Sequence, residues 1–223
     1  MNRAVLPATT RRGRDTRAGL LEAARQVFER DGYDAARIAD IAVEAGVAHG
    51  TFYAHFRSKP EVFLAVMTDL WSRLLLPVAP PEADDRSAGA RPASPYDRVL
   101  DSNRHFLAGY RTHAGLFALV DEAARTAPEI DELRRRVHED NTRRVARAIR
   151  RWQRAGMAAP DLRAADAATA LVGMVGRAAY HWYVVEHRRT TRPEARTLTT
   201  LWLRALGIAV GSTPGPAVPD RGE

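Results

Sequence analysis

The chain has no cysteine. That excludes disulfides, thiolate metal sites and cysteine nucleophiles. It has a single lysine, Lys59, so nearly all of its 34 basic side chains are arginine. We read that bias chiefly as codon usage and only weakly as phosphate recognition. No apolar run approaches the roughly 18 residues that a membrane span requires, and the first residues do not read as a signal peptide, so a cytoplasmic, membrane-free protein is expected. Catalytic patterns are also missing. There is no Gly-rich phosphate loop, no Ser in a nucleophile-elbow setting and no His-Glu-x-x-His. His105 and His113 straddle an expected helix break, and His181 and His187 fall on different helical faces. Neither pair suits a metal. The expectation is no enzyme activity, no metal and no cofactor.

What is present is basic and helical. The 223 residues suffice for one small and one medium domain. A formal charge of +7 and a pI near 10.4 favour an anionic partner such as DNA.

The most informative stretch is Arg37 to Lys59, RIADIAVEAGVAHGTFYAHFRSK. Ile38, Ile41, Ala42 and Ala45 recur at three and four residues and share one helical face. Gly46 suits the left-handed conformation that ends a helix, and Val47 is expected to be the buried pin of the turn. A short second helix follows, with Phe52 and Phe56 pointing inward. That phase leaves His49, Gly50, Thr51, Tyr53 and His55 on the other faces, as a major-groove reader requires. Ser58 and Glu61 read as a capping box opening the next helix. Lys59 in its first turn opposes the helix dipole, which makes sense if it holds a phosphate together with the free amides of that turn.

The run Ile41-Ala42, Ala45-Gly46-Val47, Gly50-Thr51-Phe52-Tyr53, His55-Phe56 and Ser58-Lys59 resembles the DNA-binding signature of the tetracycline-repressor (TetR) family. Upstream, Ala24, Phe28, Gly32 and Tyr33 extend the match, which covers about residues 16–66. The remainder resembles the family only in helical layout. The resemblance implies an all-α protein in which an N-terminal three-helix helix-turn-helix domain precedes a helical ligand-binding and dimerisation domain, about nine helices in all. It further implies that Arg37, Tyr53 and Lys59 contact phosphates while His49, Thr51 and His55 approach base edges, with Gly50 beside them. One position departs from the pattern. The family often has a capping Thr at the start of the first motif helix, where this chain has Ala36-Arg37. Arg37 would supply the phosphate contact, at the cost of a weaker helix end.

Taken in order, residues 1–15 read as a disordered basic arm, 16–60 as the reading head, 61–210 as the regulatory and dimerisation part, and 211–223 as a disordered tail. Helices are expected over about 16–30, 59–76, 96–111, 114–127, 128–156, 162–186 and 193–210. The Pro- and Ala-rich stretch 77–95 reads as a flexible loop. The expected helix over 128–156 is interrupted on its apolar stripe by Asp140-Asn141. Polar groups converging in an apolar setting mark a ligand pocket. Candidates for it are Asn103, His105, Tyr110, Phe117, Asn141, Trp152, Met174, Tyr180 and His181, with Asn141 foremost because an amide on an apolar stripe wants a partner.

The helix over 162–186 is apolar on nearly every side, which in a domain this small implies a partner chain. Leu171, Val175, Ala178, Trp182, Leu198, Leu201, Trp202 and Ala205 are the expected contacts of a homodimer. Gly173 and Gly176 would let a neighbouring helix approach closely. Together these features describe a homodimeric regulator, most simply a repressor of a palindromic double-stranded DNA operator, released by a small apolar or amphipathic effector. A helical enzyme or carrier with a DNA-reader look-alike, or a regulator answering to a protein partner, would be the alternatives.

Overall fold

The computed structural model describes residues 10–75 and 94–209. Nine α-helices and no strand occur among them. The expected flexible loop and tail lie outside the described residues, apart from Ser94 and Pro95, and so does most of the expected arm. Its last residues correct that expectation. Arg11, Arg12 and Arg14 belong to the first helix, α1 (Arg11–Ala35), which Thr10 caps by accepting from the Gly13 amide at 3.1 Å. Regular helix ends at Gly32, whose φ of 80° is open to glycine, and one further turn leads to Ala36.

Two seven-residue helices follow, α2 (Ile38–Glu44) and α3 (His49–His55). Gly46, at φ 65°, turns the chain between them, and the Val47 amide donates to the Ala42 carbonyl at 3.0 Å. Val47 is only half-buried, not the fully buried pin expected, because the turn lies at the surface. Helix α4 (Lys59–Leu74) begins behind the Ser58 cap, whose hydroxyl accepts from the Glu61 amide at 3.2 Å. The return half of the expected box is displaced by one residue. Glu61 takes the Arg57 amide at 2.6 Å, not the amide of Ser58.

The head is bound by an aromatic cluster. Phe28 and Phe63 meet edge-on at 5.0 Å, Tyr33 and Phe63 at 5.0 Å, and Phe28 stacks on Tyr33 at 5.9 Å. Phe52 and Phe56 sit 5.7 Å apart and are fully buried. Phe28, Tyr33 and Phe63 tie α1 to α4, while Phe52 and Phe56 anchor α3, which packs against α2.

The remaining helices are α5 (Pro95–Thr112), α6 (Ala114–Thr126), α7 (Pro128–Arg154), α8 (Ala164–Tyr180) and α9 (Arg192–Ala205). Helix α7 packs along α8, and α5 along α9. The expected single helix over 162–186 is two pieces: α8 runs into a π-helical turn at His181–Val185. Tyr183 is buried inside that turn and donates to the Thr190 carbonyl at 3.1 Å. The π turn has no signature in an apolar repeat, which is why periodicity alone joined the two pieces.

Much of the apolar surface of α8 is covered within one chain. Leu171, Val175, Leu198 and Trp202 are buried, and Trp202 donates its indole N–H to the Leu171 carbonyl at 3.2 Å. These four correct the expected dimer contacts. A residue already enclosed by its own fold has no surface left for a partner. Ala178 and Trp182 are half-buried, and Leu201, at 47 % exposure, and Ala205 face outward.

Candidate nucleic-acid interface and effector cavity

Helix α3 presents a short row of donors. His49, Gly50 and Tyr53 are exposed, while Thr51 and His55 are half-buried. Tyr53 is held in place, because its ring meets His49 at 5.3 Å and Phe52 at 5.5 Å, both edge-on. The α3 row is thus phased by the two buried phenylalanines beneath it. Arg37 is exposed at the N-cap of α2 and supplies no side-chain cap, the weak helix end anticipated from the missing threonine. Sequence reasoning missed Arg17, whose guanidinium lies 4.6 Å over the Phe56 ring at the end of α3. Only the fold brings α1 there. Arg37 and Arg57 have no carboxylate partner among the described residues, whereas Arg25 and Arg30, farther along α1, are paired with Glu22, Glu29, Asp31 and Glu44. Unpaired positive charge therefore collects beside α2 and α3.

Lys59 corrects the argument made for it. Its ammonium donates to the Tyr33 carbonyl at 2.8 Å and the Asp34 carbonyl at 3.0 Å, and lies 4.8 Å over the Tyr33 ring. The carbonyls at the end of α1 offset the unfavourable dipole of α4, so no phosphate is needed to explain the cation. The same stretch of α1 is tied to α6. The Asp34 amide donates to Glu122 at 3.0 Å, and His113, just before α6, lies 3.3 Å from Glu29.

Behind the head, α4 to α9 line a half-open cavity of about 390 Å³, within the ordinary range of small-molecule sites. Trp71, Leu74 and Leu75 line it from α4 and the residue after it, Phe117 and Val120 from α6, and Val137, Asn141 and Val145 from α7. Tyr110 and Phe117 stack face to face at 3.9 Å and form part of the wall. Of the expected ligand contacts, Asn103, Tyr110, Phe117, Asn141 and Tyr180 line this space. Trp152, Met174, His181 and His105 do not, and are corrected. Trp152 is buried in the core, His181 is exposed and pairs with Glu186 at 2.9 Å, and His105 bonds the Arg73 carbonyl at 2.6 Å. Met174 is half-buried outside the cavity lining. Asn103 donates to Thr199 at 3.0 Å, a buried polar link between α5 and α9. Gly173 and Gly176, expected to let a neighbouring helix approach closely, meet no helix of their own chain among the described residues. Both line the cavity, and a methyl group added at either would meet nothing within 4 Å. Arg134, His138 and Arg177, missed as lining residues, read in sequence as ordinary solvated charges.

Comparison with known proteins agrees with this architecture. Residues 20–66 match the model of the bacterial regulatory proteins of the tetR family, and residues 85–207, more than half of the chain, match that of the C-terminal domain of the transcriptional regulator EthR. The chain belongs to the TetR family of transcriptional regulators. Its C-terminal part is of the EthR kind. EthR of Mycolicibacterium smegmatis is 24% identical over 196 residues, covering 87% of both chains. The transcriptional activator FasR of the same organism is 47% identical over 62 residues, covering 28% of this chain and 26% of that protein. Among solved structures, Salmonella enterica GusR superposes with a TM-score of 0.69 at 18% identity, covering 90% of this chain and all of the other. Bacillus subtilis FadR, solved in complex with stearoyl-CoA, gives 0.68 at 15% identity over 83% of this chain and 96% of that one. The protein is thus a DNA-binding transcriptional regulator, and no described helix is long and apolar enough to cross a membrane.

Proposed function

We propose that the protein is a homodimeric repressor that leaves a palindromic operator when a small apolar or amphipathic molecule fills the cavity. One observation carries the reading. The cavity wall includes α4, which begins at the head, and α6, which is hydrogen-bonded to the end of α1 through Glu122. Occupancy that favours one placement of α4 and α6 over another shifts the head by that difference in affinity. On the DNA side, Arg37 and Tyr53 contact phosphates, and His49, Gly50, Thr51 and His55 approach base edges. Lys59 positions α4 against α1, and any phosphate contact it makes is shared with the carbonyls it already holds. The outward faces of α8 and α9, with Ala178, Trp182, Leu201 and Ala205, join two copies about a two-fold axis and present two heads to two half-sites.

The test is to select genomic fragments with the purified chain and to follow operator release by fluorescence anisotropy. Binding to a palindromic site as a dimer, with release by a cavity-filling compound, is expected. Leu201→Arg should yield monomers with folded heads and little operator affinity. His49→Ala should relax preference at one base in each half-site. A wild-type monomer at micromolar concentration, or an affinity blind to sequence, would overturn the reading.

A further inference from the structure

The cavity is electrostatically one-sided. Arg134 and His138 on α7 and Arg177 on α8 all line it, and no carboxylate does so among the described residues. Some surface arginines on α7 are matched by acids one turn away, such as Arg135 with Glu132 and Glu139. Arg134 is partly offset by Asp131 at 2.6 Å. Arg177 is not. It lies 5.4 Å over the Tyr180 ring and meets no carboxylate among the described residues. Asn141 also borders the space, and no hydrogen bond is made to its side chain among the described residues. The opposite wall is aromatic and aliphatic, built on the Tyr110–Phe117 stack.

A site with an apolar interior and an arginine at its border that no described carboxylate offsets, as Arg177 is, discriminates by charge. A neutral ligand gains only from burial. A cationic one meets like charge, and an anionic head group gains charge-assisted hydrogen bonds that an arginine fork suits geometrically. We infer that the effector is an amphipathic anion: an apolar body against Tyr110 and Phe117, and a carboxylate or comparable anionic head held by Arg177, with Arg134, His138 and Asn141 beside it. This rests on the reading of the cavity as the effector site and adds the chemical class that it selects.

The experiment uses the purified full chain and three probes that share one chain length and differ in head group: dodecanoate, dodecanol and dodecylamine, each below its micellar concentration at neutral pH. Calorimetry measures binding, and anisotropy measures operator release. Dodecanoate should bind about tenfold more tightly than dodecanol, with dodecylamine weakest. Arg177→Gln should bring dodecanoate down to the level of dodecanol while leaving dodecanol unchanged, and Arg177→Lys should keep most of the preference. Gly173→Leu, placed where a side chain has room, should abolish binding of all three and so locate the site. Equal affinity of wild type for dodecanoate and dodecanol, or a preference that survives Arg177→Gln, overturns the anion and leaves the cavity reading intact. Failure of every probe to bind overturns both. Binding that survives Gly173→Leu overturns the assignment to this cavity.

Discussion

The head and the body of the molecule use aromatic residues in opposite ways. In the head, Phe28, Tyr33, Phe52, Phe56 and Phe63 fill space and are at most 2% exposed. In the body, Trp71, Tyr110 and Phe117 border about 390 Å³ that nothing among the described residues fills. The head is a solid part, built to hold one helix in one phase. The body is a hollow one, whose helices are held apart by their own side chains. Close packing makes the first stiff and leaves the second room for more than one arrangement. The same residue type therefore carries different consequences when removed.

The largest effect should come from testing that contrast directly. Phe63→Ala removes a ring with neighbours on all sides and should cost about 3–5 kcal/mol, with loss of operator binding. Phe117→Ala removes a ring that already faces a void on one side, and should cost about half as much because fewer contacts are lost. Urea unfolding of both variants makes the comparison, and equal losses would show that the body is as solid as the head. Next in size is Lys59→Ala, which deletes two charge-assisted hydrogen bonds to α1 and should destabilise the head by about 1.5–3 kcal/mol. Arg37→Ala should leave the melting temperature nearly unchanged and flatten the salt dependence of operator binding by about one unit. A large salt-slope change for Lys59→Ala without loss of stability would return that residue to the phosphate.

The body should also carry an alkaline transition. Burial, with Glu194 nearby, pushes the Tyr183 phenol up to about 12 from 10.0. Because the folded value is raised, the stabilisation is complete below pH 10 and is lost as pH rises from 10 towards 12. Thermal melts across that window should show the loss, and Tyr183→Phe should remove it. The smallest effect is a gain. Gly176 is helical, has room for a methyl group and lies on the cavity wall, so Gly176→Ala should stabilise by about 0.5–1 kcal/mol through helix propensity alone. A loss would mean that the space above Gly176 is occupied in solution.

The head was legible because its information is local. Gly46, Phe52 and Phe56 announce a turn and a helical phase within a dozen residues, and the structure keeps that phase. The body was legible as helices but not as surfaces. Periodicity marks Leu198 and Trp202 as apolar on one face. It does not say whether that face meets its own chain, and here it does, through the Trp202 bond to Leu171. The cavity divides the same way. Tyr110, Phe117 and Asn141 stood out as aromatic or misplaced polar residues. Trp152 stood out equally and is plain core, while Arg177 resembled any surface arginine. Lys59 shows the converse. Its conflict with the helix dipole was visible, but the carbonyls that resolve it lie 25 and 26 residues away in sequence.

The two residues Tyr33 and Asp34 have one more consequence. Their carbonyls hold Lys59 of α4, and the Asp34 amide is held by Glu122 of α6. That amide is a single proton whose protection depends on a side chain from the far side of the junction. In deuterated solvent it can exchange only when Glu122 lets go. Its exchange rate is therefore a clock for the seam between reading head and body, one that runs faster in whichever state α6 has moved away, and that can be read without any DNA present.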